Sequence, residues 1–187
     1  INGQFHILSI SFYIGGIKMS IKGFKNQYQF LSNFYNQPFN YNGIAYNSVV
    51  SAFFANMTTN EFQRNMIAKS LPSDAIKLYK RTSSKKRLSD KEKKDLMYNI
   101  CKEKFSIPSL KDKLLATNNE ELINETTWEN PFWGITNDKG ENQLGKILMK
   151  IRKELNKEQK EKEVSGNQEQ VQDIVKETKQ ELSDNQE

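Results

Sequence analysis

From residue 48 onward, apolar side chains recur at the three- and four-residue spacing of helices. Val49, Val50, Phe53, Phe54 and Met57 follow Ser48, a residue suited to cap a helix start, so the pattern predicts a helix over 48–58. That helix is apolar over much of its surface and belongs at the centre of the core. A second is predicted from Thr59 or Asn60 to Lys69, with Phe62, Met66 and Ile67 inward and Arg64 available to a pocket. Leu71-Pro72-Ser73-Asp74 ends it and opens a third. Met97, Ile100, Cys101 and Phe105 stripe a helix over 90–105, Leu110 to Ala116 forms another, and Asn118 to Glu125 includes a further short one. Leu144, Ile147, Leu148, Ile151 and Leu155 mark the apolar face of a final helix.

Residues 20–47 have a different pattern, with aromatic residues and asparagines interleaved. Phe39 to Tyr46 reads as a hairpin turning at Asn42-Gly43, the strongest two-residue turn signal. The fold class expected is a single α+β domain, mainly helical, with a small antiparallel sheet drawn from residues 20–47. Residues 1–18 read as a leader or reading-frame extension, with Met19 as a start. The apolar run Phe5 to Ile14 is too short to span a bilayer and is broken by Gly15-Gly16, so no membrane association is expected. Residues 19–152 form the domain, and 153–187 a charged tail, helical or disordered, that offers a surface to a protein partner.

Charge changes this picture. The net formal charge is +5, and Lys77 to Lys104 holds 11 basic against 4 acidic residues, whereas the tail is net acidic. A basic body favours an anionic ligand such as a phosphate, a nucleotide or nucleic acid. For the connector 82–95, S-S-K-K-R-L-S-D-K-E-K-K-D, a solvated face and a phosphate contact are the two readings; the absence of interleaved aromatics weighs against single-strand binding. The one cysteine, Cys101, lies on an apolar stripe, reads as core and gives no sign of export, so a cytoplasmic location is expected. The one histidine, His6, lies outside the expected domain, which removes His-based triads, Cys–His pairs and His-containing metal sites from it.

The candidate chemistry gathers in Trp128 to Arg152. Trp128 and Trp133 precede Gly134, and a Gly-Glu-Asn turn leads into the last helix. Tryptophans bury large areas and seek a partner for the N–H, so this loop is either a pocket wall or a hydrophobic plug. Asn33, between Phe30 and Phe34, is either a ligand-facing amide or a turn residue bonding its own backbone.

These pieces together resemble the NADAR family of YbiA-like proteins. The residues that carry the likeness are F-L-S-N-F-Y with P-F, then G-x-x-Y-x-S-V and A-F-x-A, then Arg64, then F-W-G, and finally G-E-N-x-L-G-K-I-L-M-x-I-R. The resemblance covers about Tyr28 to Arg152. The resemblance implies a compact, mostly helical α+β fold and an N-glycosidase that cleaves a ribosyl–nitrogen bond. Its substrate would be a riboflavin-pathway intermediate or an ADP-ribosylated base, and it would need no metal or other cofactor. Carried over residue by residue, it places Glu125 and Asn130 nearest the chemistry and Arg64 and Lys80 on phosphate. Trp128 and Trp133 would stack on the base, with Asn33, Phe34, Gly134 and Asn142 completing the binding site.

Several positions depart from the family pattern. Val50 stands where the family has glutamate, Phe54 where it has glutamine and Met57 where it has lysine. Tyr79-Lys80 replaces Gly-Arg, which keeps the charge but loses the bidentate fork, and Asn130 stands for an aspartate. Cleaving an N-ribosidic bond builds oxocarbenium-like charge on the sugar, which a carboxylate stabilises or meets with an activated water. Val50 does neither, and Asn130 cannot act as a base. The sequence therefore supports two readings, an N-glycosidase of a ribosylated or ADP-ribosylated compound, and a degenerate member that binds an ADP-ribose-like ligand or serves a structural role.

Overall fold

A computed structural model of the chain describes residues 19–126 and 131–184, with side-chain surroundings to residue 165. Strand β1 (Ser20–Lys22) leads into a 3-10 helix (Asn26–Leu31) and the hairpin of β2 (Phe39–Tyr41) and β3 (Ile44–Tyr46). Five helices follow, α1 (Val49–Asn56), α2 (Glu61–Lys69), α3 (Pro72–Arg81), α4 (Asp90–Lys104) and α5 (Pro108–Leu115). Strand β4 (Glu121–Ile123) and the long α6 (Gln143–Asp184) close the described chain.

Local chemistry sets most boundaries. In the hairpin Phe39 faces Tyr46 and Tyr41 faces Ile44, and Asn42 and Gly43 both take positive φ (49° and 76°), as a two-residue turn matched to strand twist requires. Ser48 is extended and its hydroxyl accepts the Ser51 N–H at 3.0 Å, capping α1. Asn60 caps α2 in the same way through Gln63 N–H at 2.9 Å. Ser89 and Glu92 form a reciprocal capping box on α4, while α3 and α5 each begin with proline.

Helix α1 packs against α2, α3 and α4, and α6 lies on α4, α5 and β4. Val49, Ala52 and Ala55 of α1 are fully buried with Ile100, Phe105 and Leu148. Cys101 is core as well; burial pushes its thiol up to about 12.

The structure departs from the pattern-based expectation in two places. Residues 118–125 hold no helix; they contain β4, which pairs in parallel with β1 (Ser20 with Glu121, Lys22 with Ile123), so the first strand joins β4 and the antiparallel sheet is the hairpin of β2 and β3. Phe62 and Met66 face outward, 74% and 45% exposed, and only Ile67 and Ala68 of α2 are buried. At 100° per residue Phe62 and Ile67 lie about 140° apart, so one core cannot take both. Helix α6 runs unbroken as backbone helix to Asp184, and Leu155 is its last buried residue among those whose side-chain surroundings are described. Among the described residues no helix is long and apolar enough to cross a membrane.

One buried cation ties α6 to the turn before β4. Arg152 Nη1 donates to Thr117 Oγ1 at 2.6 Å and Nη2 to the Glu120 carbonyl at 2.8 Å. Arg152→Met would strand these acceptors in the interior and is expected to cost about 2–3 kcal/mol, read by chemical denaturation.

Candidate functional site

Parallel pairing brings the ends of β1 and β4 out on the same side of the molecule. The Gly23 N–H donates to the Ile123 carbonyl at 3.0 Å, and Gly23 takes a positive φ of 62° that turns the chain away from the strand. Phe24 and Lys25 leave from one strand and Asn124, Glu125 and Thr126 from the other, and all five line a single cavity of about 400 Å³. Phe53, Phe54 and Val50 of α1 form its floor, Ile76 and Lys80 of α3 one side, and the turn Ser32–Phe34 with Met97 of α4 the other. Trp133 and Leu144 complete the wall.

The aromatic part is a connected cluster. Trp133 meets Phe53 edge to face, with ring centroids 5.6 Å apart and planes at 87°. Phe53 meets Phe54 at 5.6 Å, and Phe54 lies 4.7 Å from Tyr79, over which the Lys85 ammonium sits at 5.4 Å. The polar part is sparse: Lys25 and Lys80 are exposed, Glu125 is the one carboxylate among the described lining residues, and the amides are Asn33 and Asn124. A mostly apolar hollow with a few convergent polar groups is the usual form of a small-molecule site.

Five of the residues singled out from sequence meet in this cavity: Asn33, Phe34, Lys80, Glu125 and Trp133. Asn33 turns its amide inward, Nδ2 donating to Met97 Sδ at 3.4 Å and Oδ1 accepting the Cys101 thiol at 3.9 Å. Three others stand behind or away from the wall. Asn142, 6% exposed, clamps β4, accepting from Asn124 N–H at 3.0 Å and donating to the Leu122 carbonyl at 2.9 Å. Gly134 permits close approach, since a Cβ there would lie 2.5 Å from the Asn124 carbonyl oxygen. Arg64 donates Nη2 to the Thr58 carbonyl at 3.3 Å and does not line the cavity. Trp128 and Asn130 lie outside the described residues.

Sequence reasoning missed Phe24, Lys25, Asn124 and Thr126 as lining residues. Only the pairing of β1 with β4 brings them together, and nothing in their local spacing signals it. Three positions that depart from the family pattern, Val50, Phe54 and Lys80, line the cavity, whereas Met57 is buried outside it. Among the described residues no group of three or more His, Cys, Asp or Glu side chains could hold a metal ion.

The NADAR domain model matches residues 21–156 of this chain. No curated protein matches it. Among solved structures, the NMR structure of the E. coli protein YbiA is similar at 28% identity, with a TM-score of 0.67, over 76% of this chain and 88% of that one.

Proposed function

Because the chain belongs to the NADAR domain family, we propose that its cavity takes a ribosylated or ADP-ribosylated nucleotide-like compound and hydrolyses the ribosyl–nitrogen bond. The observation that carries this reading is the meeting of Glu125 with Lys25 and Lys80 around an aromatic hollow. The lysines suit phosphate oxygens as point charges. Trp133 and Phe34 suit the face of a base, and the Asn33 amide a sugar hydroxyl.

In this mechanism a water oxygen bonds to the anomeric carbon as the carbon–nitrogen bond breaks, its electron pair leaving with the nitrogen. The Glu125 carboxylate stabilises positive charge developing on the sugar, takes a proton from the attacking water and returns it to the departing nitrogen. Val50 and Phe54, apolar on the same floor, support a second reading, in which the cavity holds its ligand without turnover.

The test is to incubate the full chain with NAD, ADP-ribose, ribosylaminouracil phosphate and ADP-ribosylated guanosine, following free base by mass spectrometry. Release of base supports hydrolysis. Binding without release, with activity appearing in a Val50→Glu, Asn130→Asp variant, selects the second reading. Neither binding nor release in either protein overturns both. Lys25→Ala and Lys80→Ala are each expected to weaken a phosphorylated ligand about tenfold, seen by titration calorimetry and diminished at high salt.

A further inference from the structure

Helix α4 presents three residues at successive helical spacings, Met97, Cys101 and Lys104, to one turn of the pocket wall. Met97 and Cys101 hold the Asn33 side chain at 3.4 and 3.9 Å. Lys104 reaches the same turn, its Nζ donating to the Ser32 carbonyl at 2.9 Å. The Asn33 carbonyl in turn accepts the Val50 N–H at 3.1 Å, so two consecutive carbonyls of the turn are pinned, one by α4 and one by α1. Ser32, Asn33 and Phe34 all line the cavity.

Lys104 is an unusual choice for this task. It is 1% exposed, and among the described residues its ammonium faces a backbone carbonyl and the rings of Tyr35 (5.6 Å) and Phe105 (5.1 Å) instead of a carboxylate. Burying an ammonium without a counter-charge is costly, and a well-packed apolar side chain would serve the core better. We infer that Lys104 is a positioning residue for the pocket, its buried ammonium fixing the Ser32–Phe34 turn and so the amide of Asn33.

This inference rests on the cavity being the ligand site, and it has a signature that needs no ligand. Burial pushes Lys104 down to about 8. The other groups around it are the Cys101 thiol on its own helix, held protonated by burial, the Tyr35 phenol from the turn, and Lys113 of α5, whose ammonium lies over the Phe30 ring packed on Phe105. With the Cys101 thiol protonated, a rise in pH through 8 turns the Lys104 ammonium into a neutral amine with a weaker hold on the Ser32 carbonyl.

The test uses the ¹⁵N-labelled full chain without ligand, following the Ser32–Phe34 backbone amides and the Asn33 side-chain amide from pH 6.5 to 9.5. The expected result is a common transition centred near pH 8 in the native chain and none in Lys104→Met. ADP-ribose affinity is expected to fall at least tenfold in Lys104→Met and along the same transition in the native chain. Flat turn resonances in the native chain overturn the inference, as does equal ADP-ribose binding by native and Lys104→Met proteins. If Lys104→Met does not fold, the native titration decides alone. If the turn titrates but ADP-ribose binds neither protein, the tie stands and the ligand reading of the cavity fails.

Discussion

Glu125→Gln is expected to lower base release by two to four powers of ten while leaving ADP-ribose affinity within a few-fold of native. The range is that of general acid–base help in a transition state. The substitution keeps size and shape and removes only the negative charge and the proton-accepting oxygen. It should not disturb the fold, because the Glu125 side chain is exposed on the loop after β4, and the residue's backbone N–H bonds to the Ile123 carbonyl at 2.9 Å. Single-turnover measurements with saturating substrate isolate the chemical step. A large fall in affinity with unchanged turnover would assign Glu125 to binding, and no change in either would remove it from the site.

Gly145→Ala is expected to destabilise the domain by about 3 kcal/mol or more, measured by urea denaturation. The sign is opposite to intrinsic helix propensity, by which alanine gains about 1 kcal/mol over glycine. A Cβ at Gly145 would sit 2.0 Å from the Leu122 carbonyl oxygen and 2.5 Å from Asn142 Oδ1. Neither neighbour can yield cheaply: the first is strand backbone, and the second is the clamp that holds β4. Displacing it breaks the Asn142 hydrogen bonds to Leu122 and Asn124, the first of them buried, and moves the strand that leads into Glu125. Gly43→Ala is the control, since a Cβ there meets nothing within 4 Å and only the positive φ opposes it, at about 1 kcal/mol. If Gly145→Ala cost no more than Gly43→Ala, the close approach of α6 to β4 would be wrong.

What could be read from the sequence was what is encoded locally. Asn42-Gly43 fixes its own turn, Ser48 caps its own helix, and the stripe through Met97, Ile100, Cys101 and Phe105 names its own buried face. The pairing of β1 with β4 was illegible because each strand has only three residues and so little alternation to show. Its cause lies in a partner far along the chain. Helix α2 misled because it carries apolar residues on two faces, and the core takes only one. At the site, Glu125, Lys80, Asn33 and Trp133 were found through family resemblance, whereas Lys25 and Asn124 look like ordinary loop residues until the strands are paired. Arg64 and Asn142 show the converse. A cation and an amide that the family resemblance marks as ligand groups are both occupied with backbone carbonyls of their own chain.

The parallel pairing of Ser20 with Glu121 also has a temporal consequence. Closing a loop of about 100 residues costs on the order of 4 kcal/mol in chain entropy, and three paired residues alone do not offset it. The hairpin and helices α1 to α5 all lie between the two strands, so their packing must first bring the strand ends near one another. On the ribosome, β1 waits for its partner until about 100 further residues have been made. The helical body can collapse early, whereas the cavity, whose lips come from either end of that loop, is assembled last.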